Sequence, residues 1–180
     1  MSLLAISGSL RQGSYNSALL CAAGADLPAG VEYRVWHGLD QIPAYSEDVH
    51  PAPLPVIAFR QAFAQADAVL FATPEYNASI PGALKNALDW VSRPFDTNPL
   101  CEKPVAVVGA IQGVFGAIWA QAELRKVLRT IGAQVNEREL VIPRAQQAFS
   151  ANGTLRDPEV ATALRTIVHE LLDATCRQAA

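Results

Sequence analysis

The chain has 180 residues, of which 51% are hydrophobic and 17% charged, so it is too apolar and too sparsely charged for a disordered protein. Its formal net charge of −3 excludes the strongly basic character that is typical of nucleic-acid-binding proteins. Length and composition predict a single domain over residues 1–180, located in the cytoplasm, with neither a membrane span nor a signal peptide.

Short apolar runs alternate with longer amphipathic stretches along the chain. The predicted strands are Leu3–Ser7, Val31–Trp36, Ala68–Thr73, Val105–Ala110 and Gln134–Ile142. The predicted helices are Asn16–Gly24, Pro55–Gln65, Pro81–Ser92, Ala117–Ile131 and Pro158–Arg177. Five strands alternating with five helices predict an α/β domain with a mostly parallel sheet. The fifth strand is polar from Asn136 to Glu139, which places it at an edge of the sheet.

Cysteine spacing and one irregular stretch add two further expectations. The three cysteines, Cys21, Cys101 and Cys176, form no Cys-x-x-Cys pair, so we expect neither a disulfide framework nor a cysteine-based zinc site. The proline-rich stretch His37–Leu54 is predicted to be irregular. A loop of this length is usually functional or packs against a partner.

The loop that follows the first strand has the composition of a phosphate-binding site, and ligands of parallel sheets bind beyond the carboxyl ends of the strands. Gly8 and Gly13 permit close approach to the backbone, and Arg11 offers a planar cation that suits phosphate. The next helix adds free N–H groups and a favourable dipole from about Tyr15 onward. Neutral donors come from Ser9, Ser14 and Asn16. We therefore predict a site for one terminal phosphate.

Two common nucleotide-binding motifs do not fit this loop. Gly8 and Gly13 have the spacing of a Walker A loop, but Ser14 stands where that motif needs a lysine. No Gly-x-Gly-x-x-Gly occurs in the sequence, so the dinucleotide-binding fingerprint is absent as well. The remaining alternative is an ordinary strand–helix turn in which Ser14 or Asn16 caps the helix.

The loop after the third strand is stiffened at both ends by Pro74 and Pro81. Such a loop can present backbone N–H groups to the polar edge of a flat ligand while Tyr76 covers an aromatic ring. The alternative is that Tyr76 packs inward and Asn77 satisfies the turn. We expect the carboxylate of Glu75 to face solvent, with its backbone N–H turned inward, rather than to act in catalysis.

Two motifs, in this order and spacing, carry a family resemblance. They are Gly8-Ser9-Leu10-Arg11-x-x-Ser14-x-Asn16 and Thr73-Pro74-Glu75-Tyr76-Asn77-x-Ser79-x-Pro81-Gly82-x-Leu84-Lys85-Asn86-Ala87-x-Asp89-Trp90. The sequence resembles, over essentially its whole length, the flavodoxin-like NAD(P)H-dependent FMN reductases, a family that includes quinone, chromate and azo-dye reductases. The resemblance implies a flavodoxin-like three-layer α/β sandwich with a five-stranded parallel sheet in the order 2-1-3-4-5.

The resemblance also implies one FMN per subunit. The residues expected to hold its phosphate are Ser9, Arg11, Ser14, Tyr15 and Asn16. Those expected to line the isoalloxazine, mainly through backbone N–H groups, are Pro74, Glu75, Tyr76 and Asn77. The loop after the fourth strand departs from the family pattern, because Ala110 and Ile111 replace hydroxyl residues and Trp119 stands where arginine is common. From this loop we expect only backbone contacts, at Ala110 and Gly113.

The implied function is an FMN-dependent oxidoreductase that passes a hydride from NADPH or NADH to a small oxidant such as a quinone, azo dye, chromate or free flavin. Because the flavin carries the chemistry, no catalytic side chain and no metal are expected. Homodimers or homotetramers are usual in the family. The alternatives are a non-catalytic flavodoxin-type electron carrier and a flavin-binding redox-sensing module. The sequence leaves open the acceptor, the choice between NADH and NADPH, and whether FMN stays bound.

Overall fold

Strands and helices alternate through residues 1–178, the part of the chain that the computed structural model describes. The strands are β1 (Ser2–Ser7), β2 (Glu32–Trp36), β3 (Ala68–Ala72), β4 (Pro104–Ala110), β5 (Gln134–Val135) and β6 (Val141–Ile142). The helices are α1 (Tyr15–Ala25), α2 (Leu54–Gln65), α3 (Gly82–Val91), α4 (Ile118–Thr130), α5 (Ala145–Ala148) and α6 (Pro158–Gln178). Within this range no helix combines the length and apolar character needed to cross a membrane.

The sheet is parallel throughout, and its strand order is β2-β1-β3-β4-β5, which confirms the predicted order. The chain runs from β1 outward to β2 and then returns to place β3 on the other side of β1. The pairing of β1 with β3 extends from Leu3↔Ala68 to Ser7↔Ala72, so the two strands end level with each other. The loops that follow β1 and β3 therefore meet at the carboxyl edge, where the winding reverses.

Helices cover both faces of the sheet. Because successive side chains of a strand point to opposite faces, Leu4 and Ile6 of β1 pack with α2, α3 and α4, whereas Leu3 and Ala5 pack with α1 and α6. Every residue of β3 and β4 is buried. Burial on both faces explains why these two strands are continuous apolar runs in the sequence.

The prediction of one continuous fifth strand over Gln134–Ile142 is wrong in its middle. Val105 of β4 pairs with Val135 of β5, but Gly109 pairs with Val141 of β6, so the register shifts by two residues between these pairs. Two of the polar residues between β5 and β6 contact α6 through their side chains. The side chains of Asn136 and Arg138 donate hydrogen bonds to the Glu170 carboxylate. These surface contacts replace the regular ladder and split the edge strand.

The proline-rich stretch His37–Leu54 packs against α3 of the same chain. The carbonyl oxygen of Pro43 accepts hydrogen bonds from Asn86 Nδ2 and Trp90 Nε1, both at 2.8 Å. The backbone N–H of Tyr45 donates to Asn86 Oδ1, and its ring meets the Trp90 ring edge-on with 5.0 Å between centroids. Contacts within the chain therefore account for the course of this loop.

Candidate functional site

A pocket of about 270 Å³ lies at the carboxyl edge of the sheet, where the β1–α1, β3–α3 and β4–α4 loops meet. Its lining residues are Ser9, Arg11, Ser14, Tyr15, Asn16, Pro74, Glu75, Tyr76, Ala110, Ile111, Gln112 and Gly113. Open α/β sheets bind their ligands at this kind of edge, beside the point where the strand order reverses. The fold thus brings three sequence-distant loops to one place.

The pocket gathers all the site residues predicted from the sequence except Asn77. Two lining residues, Ile111 and Gln112, were not predicted. Their position immediately after β4 was the available signal, because every loop at the carboxyl edge is a candidate for ligand contact. The sequence motifs drew attention to the flanking Ala110 and Gly113 instead.

The β1–α1 loop places a cation at the start of a helix. Ser14 is the N-cap of α1, and its hydroxyl accepts a hydrogen bond from the Asn16 backbone N–H at 3.2 Å. The guanidinium of Arg11 lies over the Tyr15 ring, 5.7 Å from its centroid, and donates only a long hydrogen bond of 3.5 Å to the Gly13 carbonyl. No carboxylate in residues 1–178 forms an ion pair with Arg11. An exposed, unneutralised guanidinium beside a helix N-terminus favours an anionic ligand.

Asn16 joins the start of α1 to the end of β4. It is 2% exposed. Its Nδ2 donates to the Ala110 carbonyl oxygen at 2.9 Å, and its Oδ1 accepts from the Ala110 backbone N–H at 3.0 Å. Both polar ends of the side chain are therefore used inside the protein, where they satisfy buried backbone groups. The predicted contact of Asn16 with a phosphate stays a prediction.

The β3–α3 loop is a tight turn. The backbones of Tyr76 and Ser79 exchange hydrogen bonds of 3.0 and 3.1 Å. Between them Asn77 and Ala78 have φ values of 53° and 59°, the left-handed pair that a two-residue type I′ turn requires. Asn77 thus serves the turn and lies outside the pocket lining. The Tyr76 ring is 49% exposed at the pocket rather than packed inward.

The carboxylate of Glu75 does not face free solvent as expected. Its Oε2 accepts hydrogen bonds from the backbone N–H groups of Trp119 at 3.0 Å and Ala120 at 3.1 Å. Both groups belong to the first turn of α4. The side chain of Glu75 therefore ties the β3–α3 loop to the start of α4.

The β4–α4 loop is anchored to the segment that follows β6. The Ile111 carbonyl accepts from the Ala145 backbone N–H, and the Gly113 carbonyl accepts from the Arg144 backbone N–H, both at 2.9 Å. The loop presents an apolar side chain at Ile111 and none at Gly113. Because Asn16 already binds the N–H and carbonyl of Ala110, and Arg144 donates to the Gly113 carbonyl, the expected backbone contacts of Ala110 and Gly113 with a ligand stay a prediction.

Two buried polar residues of α4, Gln121 and Arg125, donate hydrogen bonds to backbone carbonyls around this loop. Gln121 Nε2 donates to the carbonyls of Leu140 at 3.1 Å and Gly116 at 3.3 Å. Arg125, 3% exposed, donates to the Val107 carbonyl at 3.0 Å. Burial lowers the pKa of the Arg125 guanidinium from its ordinary value, while the nearby Glu139 acts in the opposite direction. Buried hydrogen bonds from α4 thus hold β4 and the segments beside it.

Comparison with known proteins points to one family. The family model described as NADPH-dependent FMN reductase matches residues 1–147. An NAD(P)H-dependent FMN reductase of Pseudomonas aeruginosa is 44% identical over 175 residues, covering 96% of this chain and 91% of the relative. A quinone reductase of Escherichia coli is 38% identical over 138 residues, covering 75% and 73%. The solved structure of FerB, a flavoenzyme NAD(P)H:(acceptor) oxidoreductase from Paracoccus denitrificans, matches with a TM-score of 0.88 at 34% identity, covering 98% and 97%.

Proposed function

The chain belongs to the NADPH-dependent FMN reductase family, and we propose that the pocket at the carboxyl edge of its sheet is where FMN binds. It is an oxidoreductase that uses FMN as cofactor and NAD(P)H as co-substrate. Bound FMN supplies the redox chemistry, since a flavin takes up a hydride from NAD(P)H and passes two electrons to an acceptor. The named relatives are reductases, which favours an enzyme over the alternatives of an electron carrier or a redox-sensing module.

The proposal depends above all on Arg11, whose guanidinium stands at the start of α1 without a carboxylate partner among the described residues. Ser9 and Ser14 of the same loop also line the pocket. We call this group, Ser9, Arg11, Ser14 and the N-terminus of α1, the phosphate cradle. Its donors are cationic or neutral, as a phosphate requires, and the helix dipole adds a favourable potential.

In the same pocket, the rigid turn after β3 positions Tyr76 and the backbone of Pro74 and Glu75. Amide groups on a rigid loop can bind the polar edge of the isoalloxazine and stabilise the charge that develops on it during reduction. The half-exposed ring of Tyr76 offers a flat apolar surface to that system. The pocket therefore combines groups that suit a phosphate with groups that suit a planar ring.

Replacing Tyr76 with alanine is expected to lower kcat/KM for the acceptor by about fivefold, because one aromatic contact contributes roughly 1 kcal/mol. Folding should change little, since the ring is half exposed and the turn is closed by backbone hydrogen bonds. Steady-state kinetics and urea unfolding measure the two effects. Phe95→Ala, which removes a 60% exposed ring from outside the pocket, is the matched control. A Tyr76→Ala enzyme with wild-type kinetics would contradict this role.

For the electron acceptor we propose a quinone. The support comes from relatives named as quinone reductases and from the aromatic ring of Tyr76 at the pocket. The test is the oxidation of NADH and of NADPH, followed by absorbance, with and without 1,4-benzoquinone. Rapid consumption that needs both FMN and the quinone supports a quinone reductase. Flavin reduction without turnover of the quinone would favour the electron carrier instead.

We further propose that the chain acts as a homodimer or homotetramer. Four apolar side chains at the β4–α4 junction are between 40% and 58% exposed: Val114, Phe115, Ile118 and Trp119. They follow directly on pocket-lining residues, and a second copy would cover them beside the flavin. Sedimentation of the wild type and of the Trp119→Glu variant tests this. An oligomer that the charged residue dissociates supports the surface as an interface, and a monomeric wild type counts against it.

A cytoplasmic location is proposed on two grounds. NAD(P)H is an intracellular reductant, and the three cysteines, Cys21, Cys101 and Cys176, are all free and exposed. Unpaired exposed thiols are typical of reducing compartments. Fractionation of cells that produce the native protein would test the location.

A further inference from the structure

We propose that Glu75 is a positioning residue whose carboxylate supplies the missing N-cap of α4 and thereby fixes the β3–α3 and β4–α4 loops relative to each other. The inference rests on the proposed FMN site and deepens it. It assigns to this side chain a role that is separate from the predicted backbone contact with the isoalloxazine.

The start of α4 lacks a cap of its own. Helices usually begin at a residue whose side chain accepts a hydrogen bond from the second or third backbone N–H of the helix. The residue in that place is Ala117, which makes no side-chain cap hydrogen bond and has a φ of 65°. The second and third residues of α4 are Trp119 and Ala120, and both of their N–H groups donate to Glu75 Oε2. A residue 44 positions earlier in the sequence therefore performs the task of the cap.

The charge of Glu75 suits this position. A carboxylate near a helix N-terminus interacts favourably with the helix dipole, in addition to accepting hydrogen bonds. No lysine, arginine or histidine among the described residues forms an ion pair with Glu75, and two backbone N–H groups of α4 donate to its carboxylate. The carboxylate is therefore engaged in a structural contact between two loops of the pocket.

The contact acts on the pocket because both of its ends adjoin lining residues. Glu75 lines the pocket together with its neighbours Pro74 and Tyr76, and α4 follows the loop whose first residues, Ile111 to Gly113, also line it. Gly116, between Gly113 and α4, packs closely against β6. Gly116 has a φ of 62°, and a Cβ there would lie 2.0 Å from Val141 Cγ1. A displaced helix start would therefore shift the pocket wall rather than be absorbed by the loop.

The test compares three substitutions of Glu75 with loss of an ordinary cap elsewhere. Glu75→Ala removes the acceptor, Glu75→Gln keeps a neutral acceptor of the same length, and Glu75→Asp keeps the charge on a side chain one methylene shorter. The matched control is Asp157→Ala, because Asp157 Oδ1 accepts from the Glu159 backbone N–H at the start of α6, outside the pocket lining. Amide hydrogen exchange is measured without flavin, and FMN dissociation constants and the KM-against-kcat split are measured on all variants.

Glu75→Ala and Glu75→Asp are expected to speed exchange at the Trp119 and Ala120 amides and to weaken FMN binding about tenfold, the equivalent of ~1.4 kcal/mol. Glu75→Gln should stay within about threefold of wild type, because it restores the acceptor. Asp157→Ala should lower the Tm without changing FMN affinity. With saturating FMN, we expect Glu75→Ala to raise the KM for NAD(P)H by a larger factor than it lowers kcat. Displaced pocket walls should weaken substrate binding more than they slow the reaction of the bound flavin.

Three outcomes would overturn the assignment: unchanged amide exchange in Glu75→Ala, wild-type FMN affinity in Glu75→Ala or Glu75→Asp, or an equal loss of FMN affinity in Asp157→Ala. If the alanine variant does not fold, the comparison of the Asp and Gln variants decides the question. A wild-type protein that fails to bind FMN would instead overturn the proposed function, and the exchange data, collected without flavin, would still report on the cap.

Discussion

Replacing Arg11 with alanine is expected to weaken FMN binding by roughly 10- to 100-fold. A hydrogen bond to a charged group contributes about 1.5–3 kcal/mol, and each 1.4 kcal/mol changes a dissociation constant tenfold. Arg11 is exposed and has no carboxylate partner, so the substitution leaves no buried group without a partner and should affect folding little. Titration of the flavin-free variant with FMN, followed by the quenching of flavin fluorescence, measures the change.

Two further variants separate the role of Arg11 from general electrostatics. Arg11→Lys keeps the charge but loses the planar fork, so its affinity should lie between those of the wild type and the alanine variant. Arg93→Ala removes an exposed arginine from outside the pocket lining and should bind FMN as the wild type does. Added salt should reduce the difference between wild type and Arg11→Ala, because exposed charges are screened. An Arg11→Ala protein with unchanged FMN affinity would refute the phosphate cradle.

Replacing Asn16 with alanine is expected to lower the free energy of unfolding of the flavin-free protein by about 2–4 kcal/mol. The substitution removes two buried hydrogen bonds and leaves the N–H and carbonyl of Ala110 without partners, and each such group costs about 1–3 kcal/mol. Urea unfolding measures the loss. Because Ala110 also lines the pocket, FMN affinity should fall as well.

The control for Asn16 is Asn86→Ala, which likewise removes a side-chain amide that makes two hydrogen bonds to backbone groups, at Tyr45 and Pro43. Asn86 is only partly buried, so water can replace its partners and the loss should be less than about 1.5 kcal/mol. Equal destabilisation by the two substitutions, or a loss below ~0.5 kcal/mol for Asn16→Ala, would contradict the role assigned to the buried pair with Ala110.

Local pattern was sufficient to predict the first four strands and the edge of the sheet at which the pocket lies. Continuous apolar runs identify β3 and β4 because both faces of these strands are buried. The strand order came from the family resemblance, and ligand contacts then follow for the loops at the carboxyl edge. The same reasoning failed for the fifth strand. The pattern of polar and apolar residues in Gln134–Ile142 did not reveal that the side chains of Asn136 and Arg138 form hydrogen bonds with Glu170 of α6.

Two contacts that hold the pocket walls, those of Glu75 and Asn16, could not be predicted from the sequence pattern. A glutamate after a buried strand and an asparagine at a helix start each have many compatible partners. Only the fold shows that Glu75 meets the start of α4 and that Asn16 meets Ala110 at the end of β4. Neither partner carries a side chain that signals the contact, because in both cases the partner is backbone.

The most direct test of the phosphate cradle is a titration of the flavin-free protein with FMN and with riboflavin, which differ only in the phosphate. Several charge-assisted contacts should make FMN bind roughly 100-fold or more tightly than riboflavin. Saturable FMN binding with much weaker riboflavin binding is the predicted result. Equal affinity for the two flavins, or no saturable binding of FMN, would contradict it.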